Sequence, residues 1–244
     1  MSQGVQVLTD HMMTSKVKAP RWRPAAADIW TYALTFGPGL LLLAVIGLQT
    51  RVPIPVLMKD PLAVVPLTQS CCHFYYGFIS NLGVMLWTAA AAVCLFASFA
   101  SLLLFRTNRR SEDATFLAAA GVFTSWLALD DLFMIHEDVL PWFGVPQIVT
   151  YGAYAAMAAL YFLYAWRQIL TFRPVLMALA LALLGSSVLI DVFWPSESAI
   201  RVFLEDGTKF LGILAWTSFH FTIALETMRR SVATPRGVFA SQAS

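Results

Sequence analysis

Charge is what this sequence has least of. Only 12% of its 244 residues are Asp, Glu, Lys or Arg, where ordinary soluble domains carry about 25%. Too few polar side chains are present to clothe a water-facing domain of this length, so a soluble globular protein is excluded. The formal net charge of +2 and the absence of a basic stripe with interleaved aromatics exclude a nucleic-acid partner. There are three cysteines, two of them adjacent, so no disulfide framework is expected. The usual catalytic signatures are missing as well. There is no Walker loop, no Gly-x-Ser-x-Gly elbow, no His-x-Glu-x-x-His arrangement and no His-x-x-x-His pair.

Apolar residues fill the space that charge leaves. They make up 59% of the chain, and its mean hydropathy is +0.69. A membrane-crossing helix needs about 20 apolar residues, and six stretches qualify: Ile29–Gln49, Phe78–Phe105, Ala114–Val139, Gln147–Leu170, Val175–Trp194 and Glu205–Met228. The first is too long for a signal-peptide core, and no small-residue cleavage site follows it. The expected fold is all-α, a polytopic bundle of six transmembrane helices over residues 29–228, with a polar segment 1–28 before it and a tail 229–244 after it. Gly37-Pro38-Gly39 should kink the first helix. The connection Thr50–Gly77, with Pro53, Pro55, Pro61 and Pro66, reads as an irregular loop or a re-entrant cap.

Orientation follows from Lys and Arg, which collect on the cytoplasmic side. One side gathers Lys16, Lys18, Arg21 and Arg23, then Arg106, Arg109 and Arg110, then Arg167 and Arg173, then Arg229, Arg230 and Arg236. The other side has Arg51, Lys59, Arg201 and Lys209. Both termini are therefore expected in the cytoplasm, in a bacterial inner or plasma membrane. Arg106, Arg109 and Arg110 are placed at the C-terminal end of the second span, where positive charge suits the helix dipole. Trp22, Trp30 and Trp166 mark the inner interface, and Trp142, Trp194, Tyr75 and Tyr76 the outer one. Runs of Gly and Ala at 89–92, 118–121 and 155–159 read as close helix packing.

The chemistry gathers at the outer end. The third span finishes Asp130-Asp131-Leu132-Phe133-Met134-Ile135-His136-Glu137-Asp138. An Asp at the centre of a span costs about 2.5–3.5 kcal/mol on insertion scales, so Asp130 and Asp131 demand a partner. In an unbroken helix Asp130 and Glu137 share a face, Asp131 points about 100° away, and His136 takes another flank. The sixth span begins with Glu205, Asp206 and Lys209 at i,i+3 and i,i+4 spacing. The fifth ends near Asp191, and the second begins near His73, Ser80 and Asn81.

Carboxylates with a histidine suit a divalent metal ion, which can turn bound water into a nucleophile. On that reading Asp130, His136, Glu137, Glu205 and Asp206 bind the metal, Asp131 is a base, Lys209 stabilises negative charge, and Asp191, Asn81 and His73 stand behind them. The protein would be a metal-dependent, hydrolase-like membrane enzyme acting on a lipid or amphiphile. The second reading uses the same residues as a relay in a proton- or cation-coupled transporter, though six spans without an evident repeat argue against a carrier, and the third is an assembly subunit held by an Asp131–Lys209 pair. Expected partners are the bilayer, such a substrate, and further copies of the chain.

Plainer readings attend several of these residues. Glu205 and Asp206 would favour the start of a helix dipole. His220 lies about 22 Å from Glu205 along the axis and reads as a histidine bonded to a neighbouring helix. Cys71-Cys72-His73 reads as interface packing, Glu226 pairs with Arg229 or Arg230, and His11 has no role. In size and polar end the chain is somewhat similar to the polytopic ceramidase and adiponectin-receptor-like hydrolases. It departs from them in lacking their paired late-helix histidines, so no family is named from it.

Overall fold

The computed structural model describes residues 26–68, 73–104, 108–194 and 196–232. The N-terminal segment before residue 26, the tail after 232, and Cys71, Cys72 and Arg106 lie outside the described residues. Everything described is helix, turn or loop, with no strand. The chain divides into two compact units, Met1–Ala33 and Leu34–Ser244. The described part of the first is helical.

The helices are α1 (Ala26–Leu48), α2 (Ile54–Met58), α3 (Pro61–Thr68), α4 (Phe78–Leu104), α5 (Asn108–Phe133), α6 (Leu140–Trp142), α7 (Gln147–Phe172), α8 (Pro174–Phe193) and α9 (Ala199–Val232). Five of them are long and apolar enough to cross a membrane: α1, α4, α5, α7 and α8. The sixth expected span, α9, is not among them. Trp216, Thr217, Ser218, His220 and Thr222 dilute its apolar run. Its packing explains how it tolerates them. Phe210, Ile213, Trp216, Phe219, His220 and Ile223 on α9 are all buried, because α4, α5 and α8 pack around it. α7 is the opposite case, with Leu160, Leu163, Tyr164 and Leu170 exposed as a lipid-facing helix would have them.

Small residues set the spacing, since lipid supplies little hydrophobic force between helices and close van der Waals contact must do the work. A Cβ on Gly121 of α5 would sit 2.6 Å from Leu95 of α4, and one on Gly212 of α9 would sit 2.8 Å from Leu184 of α8. α1 runs unbroken through Pro38, and its Leu43 and Ile46 share a core with Met58, Ile79, Val202 and Phe210.

Three boundaries differ from the sequence reading, each for a local reason. The Thr50–Gly77 connection is partly helical: Pro53 precedes α2, whose first turn tolerates Pro55 because the missing N–H would be unpaired anyway. Gly77 closes this segment at φ +61°, a left-handed conformation that a side chain would resist, and its N–H bonds the Val56 carbonyl at 3.0 Å. α9 begins at Ala199, with no acid in its first turn, so Glu205 and Asp206 are not terminal dipole stabilisers. Arg109 and Arg110 fall in the first turn of α5, not at the C-terminal end of the preceding helix.

The third expected span breaks early. α5 ends at Phe133, Met134 takes φ +50°, and Ile135–Val139 form a π-helical turn. Positive φ in a non-glycine residue is uncommon, so something must hold it. The agent is Asp130, whose Oδ1 accepts the His136 backbone N–H at 3.0 Å.

Candidate functional site

The start of α4, the end of α5, the end of α8 and the start of α9 bring their polar residues together at one end of the unit Leu34–Ser244. Asp131 on α5 receives the Lys209 ammonium from α9 through Oδ1, the cross-helix pair that the sequence suggests. A lone charge at either position would be expensive, and pairing is the standard remedy. Asp131 is 7% exposed, and its Oδ2 has no hydrogen-bond partner among the described residues.

Asp131 lines a cavity of about 10 Å3 together with Met58, Asp60, Ser80, Asp206 and Lys209, with apolar walls from Ile79, Phe210 and Ile213. That is close to the room one water requires. Ser80 Oγ donates to Asp60 Oδ1. Asp60 lies between α2 and α3, outside the five candidate spans. Burial pushes its carboxyl above the ordinary range, Lys209 pulls it back, and Asp131 pushes it up again. The cavity wall therefore holds three carboxyl groups against one ammonium.

Asp130 belongs to a different cluster. It accepts His136 Nδ1–H at 2.7 Å and the Tyr154 hydroxyl of α7 at 2.5 Å, and His136 Nε2 approaches Glu137 at 3.3 Å. For His136, beyond the end of the span, burial alone would lower the pKa. Hydrogen bonds to Asp130 and Glu137 outweigh burial and raise it to about 9. The His136 hydrogen bond likewise holds Glu137 below its usual range, against burial and with help from Lys209.

A third cluster is built on Arg201, which is buried. It donates to Asp191 at 2.5 Å and to Glu205 at 2.7 Å, and the Tyr151 hydroxyl donates to Asp191 at 2.5 Å. These bonds tie α7, α8 and α9 together.

The structure thus brings Asp131, Lys209 and Asp206 to one cavity, Asp130, His136 and Glu137 to a second group, and Glu205 and Asp191 to Arg201. The five residues read as metal ligands are distributed over these three groups, with Asp206 at the cavity, Asp130, His136 and Glu137 in contact through His136, and Glu205 on Arg201. The break at Met134 removes the shared face of Asp130 and Glu137, and Arg201 engages Glu205. Among the described residues no three Asp, Glu, His or Cys side chains are grouped as a metal site. Asn81 is exposed and reaches only the Tyr76 carbonyl at 3.4 Å. His73 is exposed and stacks on Tyr75 at 5.2 Å. Neither lines the cavity.

Asp60, Tyr151 and Tyr154 were not singled out in the sequence. A single acid, next to Lys59 and flanked by the apolar stretches 54–58 and 61–67, is the signal that points to Asp60. For the tyrosines it is their i,i+3 spacing at the end of a span, next to an acid-rich helix end.

Taken together these features define an all-helical, multi-pass membrane protein with an acid-rich site at one end of its helices. Residues 33–223 match the family described as Domain of unknown function (DUF8692), and the chain belongs to that family. No curated protein and no solved structure matches it.

Proposed function

We propose that the protein is a small proton-coupled membrane transporter whose proton site is the cavity between Asp60, Asp131, Asp206 and Lys209. The observation that carries this reading is three carboxyls facing one ammonium in a water-sized space. Fully ionised, the wall would hold two uncompensated negative charges, and acids so placed take up protons, counter-ions or hydrogen bonds. Metal-dependent hydrolysis draws less support, because Asp130, His136, Glu137 and Glu205 are engaged with Tyr154, Arg201 and one another.

In this reading α9 is a sixth crossing, both termini are cytoplasmic, and the acidic end faces outward. Its support is the excess of Lys and Arg on the opposite side. Labelling of single cysteines should find the neighbourhoods of Arg173 and Trp142 on opposite sides of the membrane.

The functional test is proton movement in liposomes containing the purified protein, a trapped pH dye and an imposed membrane potential. Wild-type protein should acidify the lumen faster than empty liposomes, and Asp131→Asn should lose that gain. Identical rates for wild type, variant and empty liposomes would sink the transport reading.

A further inference from the structure

The hydrogen-bond inventory of the cavity is unbalanced. Its acceptors include the free Oδ2 of Asp131, which lies 3.9 Å from where a Cβ on Gly83 would sit, and Gly83 itself lines the cavity. The ammonium of Lys209 is directed to Oδ1 of Asp131, and the Ser80 hydroxyl is directed to Oδ1 of Asp60. No remaining group with a fixed proton is aimed at Oδ2. A buried acceptor left without a donor is costly, so an added donor is favoured there. An acidic proton on a carboxyl converts an acceptor oxygen into a donor and removes one negative charge in the same step.

Asp60 is placed to carry that proton. It comes from the short α2–α3 segment, not from a membrane-spanning helix. Its neighbour Lys59 faces outward, pairing with the exposed Glu197 at 2.5 Å. The segment therefore presents one side chain to the surface and the next to the cavity. The groups sharing the cavity wall with Asp60 are Ser80 on α4, Asp131 on α5, and Asp206 and Lys209 on α9, and Glu137 on the π-helical turn acts on it through its charge.

We propose that Asp60 is the carboxyl that takes up the proton of this cavity, and that its O–H then serves the unpaired Oδ2 of Asp131, directly or through one water. The assignment rests on the cavity being a proton site. In the step, a proton from the aqueous side adds to the Asp60 carboxylate, no bond other than O–H forms, and the cavity's formal charge rises from −2 to −1. Burial, which already raises Asp60 above the ordinary carboxylate range, works in the same direction.

Infrared difference spectroscopy of the purified full chain, titrated with acid, tests this. Wild type should show a protonated-carboxyl C=O band that titrates above the ordinary aspartate value of about 3.9. Asp60→Asn should remove the band, while Asp206→Asn, at another carboxyl of the same wall, and Asp138→Asn, outside it, should keep it. Ser80→Ala, which removes a hydrogen bond to the charged form, should move the midpoint up by about one pH unit. That variant also decides the matter if Asp60→Asn does not fold. A band that survives Asp60→Asn, or a midpoint that ignores Ser80→Ala, overturns the assignment. If the band behaves as expected but liposomes move no protons, Asp60 binds the proton and the transport reading fails alone. If proton flux is present and Asp60→Asn retains it, transport stands and Asp60 is not on its route.

Discussion

The His220 network and the acidic end are polar regions built on opposite terms. Around His220 every strong donor has its acceptor. Tyr161 O–H pairs with His220 Nε2 at 2.9 Å, His220 Nδ1 with the Trp216 carbonyl at 2.9 Å, and Trp216 Nε1–H with Thr124 Oγ1 at 3.0 Å. The bond set assigns one tautomer, with the proton on Nδ1. Phe116, Phe123, Trp87 and Phe219 pack against these rings. The network is closed and needs no charge, which is how a buried polar group fixes helices to one another. At the acidic end, by contrast, Asp131 Oδ2 and Arg201 Nε are buried without partners, and three carboxyls share one ammonium at the cavity. A closed network holds a fold, whereas an open one retains capacity to bind something.

The comparison breaks most visibly at Lys209. Removing one partner of a buried ion pair strands the other and costs about 3–5 kcal/mol. Lys209→Met should therefore lower stability in detergent by an amount near that range, and adding Asp131→Leu should restore much of it. If the double variant is no more stable than the single one, the pair is not what holds α5 to α9. His220→Leu should cost less, about 1–3 kcal/mol, because what it strands is the neutral Tyr161 hydroxyl. Denaturation of the two variants side by side ranks them, and a larger loss at His220 would reverse the contrast between the regions.

Much of this arrangement is legible in the sequence, and the misses have physical causes. Hydropathy alone places α4 and α7 to within two residues and α1 and α8 to within three, because lipid exposure demands an uninterrupted apolar run. The Asp131–Lys209 pair is legible too, since two costly charges at similar depth on separate helices invite each other. The break at Met134 is not. Leu132-Phe133-Met134-Ile135 is compatible with a continuing helix, and the turn depends on the Asp130 side chain capturing the His136 N–H. The early start of α9 is hidden for a related reason. Arg201 looks like a loop charge until Asp191 and Glu205 are seen on either side of it. Asp60 stays out of sight because its partners lie 20 or more residues away in the chain.

The next contrast concerns pH. His136 has its pKa raised from 6.5 to about 9 by Asp130 and Glu137. A group whose folded-state pKa lies above its unfolded value favours the folded state fully below the unfolded pKa, and that advantage disappears as pH rises through the folded pKa. Melting temperature in detergent should therefore decline between about pH 6.5 and 9 through this group. His136→Gln should flatten that part of the curve, and His220→Leu should leave its slope unchanged. An equal slope in wild type and His136→Gln would show that the Asp130–His136 bond does not depend on charge.

The smallest effect is expected where the acidic end meets the surface. Lys59 and Glu197 pair at 2.5 Å, but the Glu197 side chain is 77% exposed, so water screens the pair and competes for both charges. Exposed pairs of this kind contribute about 0–1 kcal/mol. The Lys59 hydrogen bond does hold Glu197 below its usual carboxyl range. That stabilisation is present above the unfolded pKa, disappears as pH falls through the folded one, and is small at this exposure. Glu197→Gln should leave melting temperature within a degree or two of wild type and leave the Asp60 infrared band in place, because Lys59 does not itself line the cavity. A loss as large as that of Lys209→Met would instead make this pair the clamp that holds the α2–α3 segment over the cavity. Asp60 would then owe its position to a surface charge, and the division between an open buried site and an incidental rim would no longer hold.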